Sequence, residues 1–359
     1  MGTLEYNIGI EMRDEYKSFE AALGAMKLVK DIMLVKQGEN VVITYDSSTD
    51  RRVAEAAANA AYIAGAVPTL ICYPTSKHSY GDPPPPVGAA VGKADVWIEF
   101  AYVSVMHSPA YRQAVDVNGA RYICLLGMDV EMLVNTIANV DVDTVVEFGE
   151  FLKARFERAK DILITSREGT NLRGNLGGRI VRHSGQKATK KGYPVMLGGQ
   201  ISFCPLEETI EGTLVFDGAI FPPASLGILK NNVVLELKKG RVTDFSGEGD
   251  DWRIFKRWIE SFNDENMYRL AHYSLGFNPG VTKSTGRIVE DERVFGCAEF
   301  GIGSQGIAIG GLHWSAASHT DGTVLRPTIV LDGDLFEENG VYKDKEAIEF
   351  CRRLGAAGY

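Results

Sequence analysis

Between about residues 17 and 140, short apolar runs alternate with helical stretches. FEAALGAMKLVKDIM and the alanine-rich RRVAEAAANAAYIAGA read as helices, and VVITYD, TLICYP, DVWIEFA and RYICLLG read as strands. Strands that recur between helices predict a parallel sheet covered by helices. The expected fold is therefore α/β, with a doubly wound parallel-sheet domain over residues 1–160. No G-x-G-x-x-G follows the first strand. Asp46-Ser47-Ser48 leads into the second helix and reads as its N-cap, so no nucleotide site is expected. The proline run Pro83–Pro86 reads as neither helix nor central strand, which makes KHSYGDPPPP a loop at the strand ends, either a pocket rim or a long connection.

A long amphipathic helix, VDTVVEFGEFLKARFERAK at 142–160, leads into a different texture. The runs DILITSREGTNLRGNL, GTLVFDGAIF and VVLELKKGRVTDFSG are β-like and punctuated by glycine, and Glu168-Gly169 and Lys239-Gly240 read as hairpin turns. The helix DDWRIFKRWIESF follows, then a glycine-rich stretch from 272 to 322 that concentrates the histidines. Residues 161–359 are read as a mixed α+β domain.

Composition narrows the function classes. With 359 residues, 45% of them hydrophobic and 24% charged, the chain has material for two cores. A net charge of -9 spread along the chain argues against nucleic acid as a partner. The longest apolar runs fall short of the roughly 20 residues that span a bilayer, so no membrane segment is expected. The segment MGTLEYNIGIEMRDEYKSFE lacks a basic stretch followed by an apolar one, so a cytoplasmic location is expected. Five widely spaced cysteines, Cys72, Cys124, Cys204, Cys297 and Cys351, read as buried free thiols.

Candidate chemistry lies in the glycine-rich stretch. In His319-Thr320-Asp321, two residues apart on an extended chain, an imidazole and a carboxylate share one face. The same spacing also serves a hydrogen-bonded structural pair. As a metal site it needs a third ligand, and His272 in RLAHYSLGFNPG is the candidate. Two histidines and a carboxylate suit non-haem Fe(II), and with zinc the same set supports hydrolysis.

The segments ETIEGTLVFDG, VVLELKKGRVTDFSG, LGFNPG, FGIGSQG and GGLHWSAASHTD, in that order and spacing, resemble the 2,5-dihydroxypyridine 5,6-dioxygenase family. They resemble equally the related aminopeptidase T and thermophilic leucyl aminopeptidase family. The resemblance covers most of residues 160–335 and, more loosely, the N-terminal domain. It implies an iron site on His272, His319 and Asp321, and a homo-oligomer. It also implies an acid/base role for His107, because Met106-His107-Ser108-Pro109 matches the dioxygenases' histidine before Ser-Pro. The alternative for His107 is a hinge before a helix that Ser108-Pro109 starts.

The two-metal ligand set of the aminopeptidases is broken here. Gln200 stands for the first glutamate, His272 for the second and Glu299 for a histidine, and the tyrosine falls near Gly306. Glu299 departs from the dioxygenase pattern as well, where the position is apolar. It reads as a ligand or general base, or as an ion-pair partner of Arg173 or Arg269. A substrate-contacting serine of the dioxygenases is replaced around Gly301, with Ser304 nearby as a candidate substrate contact. In the basic stretch GRIVRHSGQKATKK, His183 is a candidate for a substrate carboxylate, or part of a solvated loop. His78 and His313 read as surface or supporting residues, and Tyr273 and Ser274 as pocket lining or packing.

The expectation is thus a mononuclear non-haem Fe(II) enzyme, with Zn or Mn as alternative metals. It would cleave a small hydroxylated N-heteroaromatic or related aromatic ring. The alternative is a metal-dependent hydrolase, aminopeptidase-like or acting on an amide or ring, in which Glu299 activates a water at the metal. A third reading is a degenerate relative that binds a small molecule without turnover.

Overall fold

The computed structural model describes residues 13–76 and 81–359. The N-terminal segment to Met12, and His78 within the proline-rich loop, lie outside the described residues. The chain forms two compact units. One comprises residues up to 122 with 126–139 and 189–193; the other comprises 123–125, 140–188 and 194–359. The division thus falls near 140, not at the expected 160, because the helix Val142–Arg158 packs its Val145, Phe148, Leu152 and Phe156 into the core of the second unit.

In the first unit lie β1 (Asn40–Asp46), β2 (Val67–Tyr73) and β3 (Val96–Glu99), and β4 (Arg121–Cys124) begins there, in the sheet order β2-β1-β3-β4. β1 runs parallel to both β2 and β3. Between β1 and β2 the helix Arg51–Ile63 buries Val53, Ala54, Ala57, Ala58, Ala60 and Ala61, an apolar stripe of helical period. Its N-cap is Asp50, which accepts from Arg52 N–H, rather than the expected Asp46-Ser47-Ser48. Asp46 is committed elsewhere: its carboxylate accepts from Ser48 N–H at 3.0 Å and from Tyr102 N–H at 2.9 Å. The proline run is also only partly loop. Pro85 and Pro86 open the helix Pro85–Val91, where a missing N–H costs nothing.

The second unit carries two antiparallel sheets around one apolar core that includes Phe156, Phe203, Phe216, Phe255, Tyr273, Phe277 and Phe300. The hairpin turn at Lys239-Gly240 forms as expected, with φ of 51° and 70° at the two residues. GTLVFDGAIF, read as one run, divides between sheets: Glu211–Phe216 lies in the eight-stranded one and Ala219–Phe221 in the seven-stranded one. All five cysteines are free; Cys72 is exposed, contrary to expectation, and the other four are buried. No helix among the described residues is long and apolar enough to cross a membrane.

The functional geometry depends on three neighbouring strands of the seven-stranded sheet: Leu270–Gly276, Cys297–Gln305 and Trp314–Val324, with Cys297–Gln305 in the middle. Register sets His272 and Asp321 on either side of Gly301, and His319 beside Gly303. Since alternate residues take alternate faces, one face carries His272, Ser274, Glu299, Gly301, Gly303, His319, Asp321 and Thr323. The other face carries Tyr273, Leu275, Ala298, Phe300, Ile302 and Val324, which pack into the core.

Candidate metal centre

The middle strand makes room for the ligands. A Cβ on Gly301 would stand 2.2 Å from Cε1 of His272 and 2.8 Å from Cε1 of His319, so a side chain there would displace both rings. The imidazoles lie nearly parallel, 5.2 Å apart between centroids and 16° between planes. His272, His319 and Asp321 each present a ligand atom, and these atoms lie within 4.8 Å of one another.

Hydrogen bonding fixes the rings' orientation. Nδ1–H of His319 donates to the carbonyl of Ser304 at 2.8 Å, which leaves Nε2 facing Oδ1 of Asp321 at 2.9 Å. In the neutral ring that nitrogen carries a lone pair, so two acceptors face each other unless a proton or cation lies between them. Burial works against an imidazolium, yet the Asp321 carboxylate overrides it and lifts the His319 pKa to about 9. Burial likewise favours a protonated Asp321, and the His319 charge overrides it and holds the carboxyl well below the usual range. His272 goes the other way: burial pushes its pKa down to about 4. Its Nε2 lies 3.6 Å from Oδ1 of Asp321 and 3.2 Å from Oε2 of Glu299.

This donor set fits a metal ion. Ligand atoms held about 2.1 Å from one ion stand roughly 3.0 Å apart at a right angle and roughly 3.4 Å apart at the tetrahedral angle. The His319–Asp321 separation of 2.9 Å matches the first, and the His272–Asp321 separation of 3.6 Å lies nearer the second. A carbonyl partner behind Nδ1, as Ser304 supplies to His319, is the usual support for a histidine that ligates through Nε2.

Glu299 adjoins this triangle. It is fully buried, and its Oε1 has no hydrogen-bond partner. Burial, and then the nearby Asp321 charge, push its pKa well above the carboxylate range. Nε2 of Gln200 lies 3.0 Å from Oε2 of Glu292 and 3.4 Å from Oε2 of Glu299. Neither arginine considered for Glu299 pairs with it: Arg173 bonds Glu211 at 3.2 Å, and Arg269 lies 3.5 Å over the Trp314 ring. Glu292 is a member of this network that the sequence did not point to; burial and the Asp321 charge raise its pKa to about 7.

Two proposed substrate contacts have other surroundings. Ser304 Oγ donates to Ala316 O at 3.0 Å and accepts from Ala316 N–H at 2.8 Å, closing the strand irregularity after Gly303. His183 is not in a solvated loop. It lies in a short strand with its side chain fully covered, and Nδ1–H donates to Glu150 at 3.0 Å. Its Nε2 sits so close to Gly149 that a Cβ there would come within 2.2 Å. Burial lowers its pKa, so the ring is neutral and packed, with no face free for a substrate carboxylate. His313 bonds through Nδ1–H to Gln305 O at 2.9 Å.

His107 belongs to the first unit. It follows β3 in a backbone conformation with φ 69°, and Ser108 next to it caps the short helix that Pro109 starts. The loop between β3 and His107 is gripped by carboxylates at two strand ends. Asp46 accepts from Tyr102 N–H, and the buried Glu99 accepts from Val105 N–H at 2.8 Å and from the Tyr122 hydroxyl. β1 and β3 are neighbours at which the sheet order reverses, and open α/β sheets place ligand crevices outside the carboxyl ends of such strands. Asp46 ends the apolar run of β1, whereas Glu99 ends β3 inside the longer run DVWIEFA, so the pattern of the sequence marks only the first of these two anchors.

The NicX family model, described as 2,5-dihydroxypyridine 5,6-dioxygenase, matches residues 24–344. A curated relative, 2,5-dihydroxypyridine 5,6-dioxygenase of Pseudomonas putida KT2440, is 27% identical over 183 residues. That match spans 49% of this chain and 49%, about half, of the relative. Among solved structures, the 2,5-dihydroxypyridine dioxygenase of P. putida KT2440 superimposes with a TM-score of 0.75 at 18% identity, covering 94% of this chain and 100% of that one. Wild-type AmpT from Thermus thermophilus superimposes with a TM-score of 0.65 at 12% identity, covering 91% and 100%. At these identities the structural likeness is one of fold.

Proposed function

The chain belongs to the 2,5-dihydroxypyridine 5,6-dioxygenase family, and from that premise we propose that it is a mononuclear non-haem Fe(II) ring-cleaving dioxygenase acting on a hydroxylated N-heteroaromatic or related aromatic substrate. The observation that carries the reading is the His272, His319 and Asp321 triangle, with both Nε2 atoms aimed at one carboxylate oxygen. Iron bound there would supply Lewis acidity toward a ring hydroxyl and redox chemistry toward O2.

The chain's own residues supply the rest. Ser304 O orients His319, and Gly301 keeps the space between the imidazoles clear. His107 is the proposed acid/base that exchanges the proton of a ring hydroxyl. Zn or Mn would fit the same donors. The proposal includes a cytoplasmic location and assembly from identical subunits.

One observation favours a second reading. The buried, half-unpartnered carboxyl of Glu299 beside His272 suits a metal-dependent hydrolase in which it acts as general base. The family match favours the dioxygenase.

The test is anaerobic purification, metal analysis, and O2 uptake with Fe(II) against dihydroxypyridines and aminophenols. Stoichiometric uptake is expected, together with loss of bound metal and at least a roughly 1000-fold fall in kcat/KM in His319→Ala and Asp321→Ala. Metal-dependent turnover of amides without oxygen, abolished in Glu299→Gln, would replace this reading with the hydrolase.

A further inference from the structure

The strand Leu270–Gly276 carries one extra residue directly before its metal ligand. Leu270 pairs with Ile302 and His272 with Gly301, so Ala271 has no counterpart on the partner strand. Such a bulge reverses the alternation of faces beyond it. Leu270 is buried in the apolar core, and an unbroken strand would send His272 and Ser274 to that same side and Tyr273 to the other. With the bulge, Tyr273 returns to the core and His272 turns toward His319 and Asp321. The metal triangle therefore depends on Ala271 staying out of the ladder.

The side chain that holds the bulge is Gln305, which is 2% exposed. Its Nε2 donates to Ala271 O at 2.8 Å and to Glu207 Oε1 at 3.2 Å, while its Oε1 accepts from His313 N–H at 2.7 Å. Acceptors facing one end and a donor facing the other leave the amide a single orientation. Glu207 is fixed in turn by Arg179 at 2.7 Å and by Leu312 N–H at 2.9 Å. The carbonyl of Ala271 lies in the peptide plane that ends at the Cα of His272, so holding it sets the direction in which the His272 side chain leaves the strand. His319 has support at its own ring, from Ser304 O. The His272 ring meets Glu299 and Asp321 through Nε2, the nitrogen offered to the metal, which leaves its aim to the backbone.

We propose that Gln305 is a positioning residue for the metal centre: its side-chain amide clamps the Ala271 carbonyl and thereby keeps His272 on the ligand face of the sheet. Without that donor a buried carbonyl loses its partner, and either turning its peptide plane or closing the bulge relieves it. Both moves swing His272 away from Asp321, while His319 and Asp321, on another strand, keep their places. The inference rests on the metal-centre reading above and is independent of the substrate and of the reaction.

The test adds zinc alone to the metal-free full chain and reads two quantities: zinc affinity in competition with an indicator, and the number of zinc-bound imidazoles in nitrogen NMR spectra of histidine-labelled protein. The wild type should show both His272 and His319 on zinc. Gln305→Met removes the amide at nearly the same volume, and Gln305→Ala, with room for water at the carbonyl, is the second variant if the first does not fold. Each should lower zinc affinity about 10- to 100-fold and leave His319 as the only zinc-bound imidazole. Val242→Ala, a cut in the core side of the eight-stranded sheet, is the control for lost stability alone and should keep both imidazoles and the wild-type affinity. A folded Gln305 variant with both imidazoles on zinc overturns the inference. So does a Val242→Ala that loses an imidazole, because any loss of stability would then act as the loss of Gln305 does. A wild type without two zinc-bound imidazoles overturns the metal centre itself, and the role of Gln305 with it.

Discussion

The two units each hold candidate histidine chemistry and position it by different means. In the parallel unit His107 rides on a loop, and its place depends on Asp46 and Glu99 gripping that loop's N–H groups from the ends of β1 and β3. In the antiparallel unit the ligands stand on the strands, and their meeting depends on register: Gly301 opposite both His272 and Asp321, and Gly303 opposite His319. A loop can be re-aimed by small changes at its anchors, whereas register cannot shift without moving every side chain on the strand to the other face. Damage at the sheet site should therefore be abrupt and local to the metal, and damage at the loop graded and tied to the protonation of Glu99.

Gly301→Ala is the sharpest way to break that comparison. The new Cβ would meet His272 at 2.2 Å and His319 at 2.8 Å, and a strand paired on both sides has nowhere to move. Iron affinity should fall by about 100-fold or more, with a stability cost of about 1–3 kcal/mol. Gly306→Ala is the control, since a Cβ there meets nothing and φ is -74°. A full equivalent of tightly bound iron in Gly301→Ala, measured beside that control, would show that the ligands do not converge as the register places them.

The same contrast explains what could be read in the sequence. β1 to β4 and the helix Arg51–Ile63 follow from local periodicity, which needs no knowledge of distant residues. His319 and Asp321 were legible for the same reason, since two residues apart on one strand is a local fact. His272 lies 27 residues before Glu299 and 49 before Asp321 in the chain, and only antiparallel pairing brings them together. The alternation in Ala298-Glu299-Phe300-Gly301-Ile302-Gly303 carries a partial signal, a polar or empty position at every second residue, but no sequence spacing sets its partners. The basic neighbours of His183 suggest a solvated loop, while the ring itself packs against Gly149 and Phe277, a contact that no local pattern in the sequence marks. Asp50, directly before the helix Arg51–Ile63, caps it in place of Asp46, which is held by the loop after β3.

Glu99 tests the graded half of the comparison. Burial, against the bonds from Tyr122 and Val105, raises its pKa from 4.5 to about 7. An acid whose pKa is higher in the folded state binds more protons folded than unfolded between those two values, so its contribution to stability is full below about 4.5 and is lost as pH rises through about 7. Glu99→Gln should therefore gain on the wild type across that window and run parallel to it above, with a total difference on the order of 3 kcal/mol at most. The check is the melting temperature of both proteins from pH 4 to 8.5. A constant offset would show that Glu99 does not titrate in the window and grips the loop in one charge state throughout.

Ser304→Ala is the smallest expected effect and separates support of the metal from contact with the substrate. The hydroxyl spans Ala316 N–H and C=O, so its loss should cost about 1 kcal/mol of stability. The carbonyl that orients His319 remains, because it belongs to the backbone. Iron affinity should then change by less than about tenfold, and kcat/KM should follow it. If kcat/KM falls well below that while bound iron and melting temperature stay at wild-type values, the hydroxyl must act on the substrate after all, and the bonds to Ala316 must open during turnover.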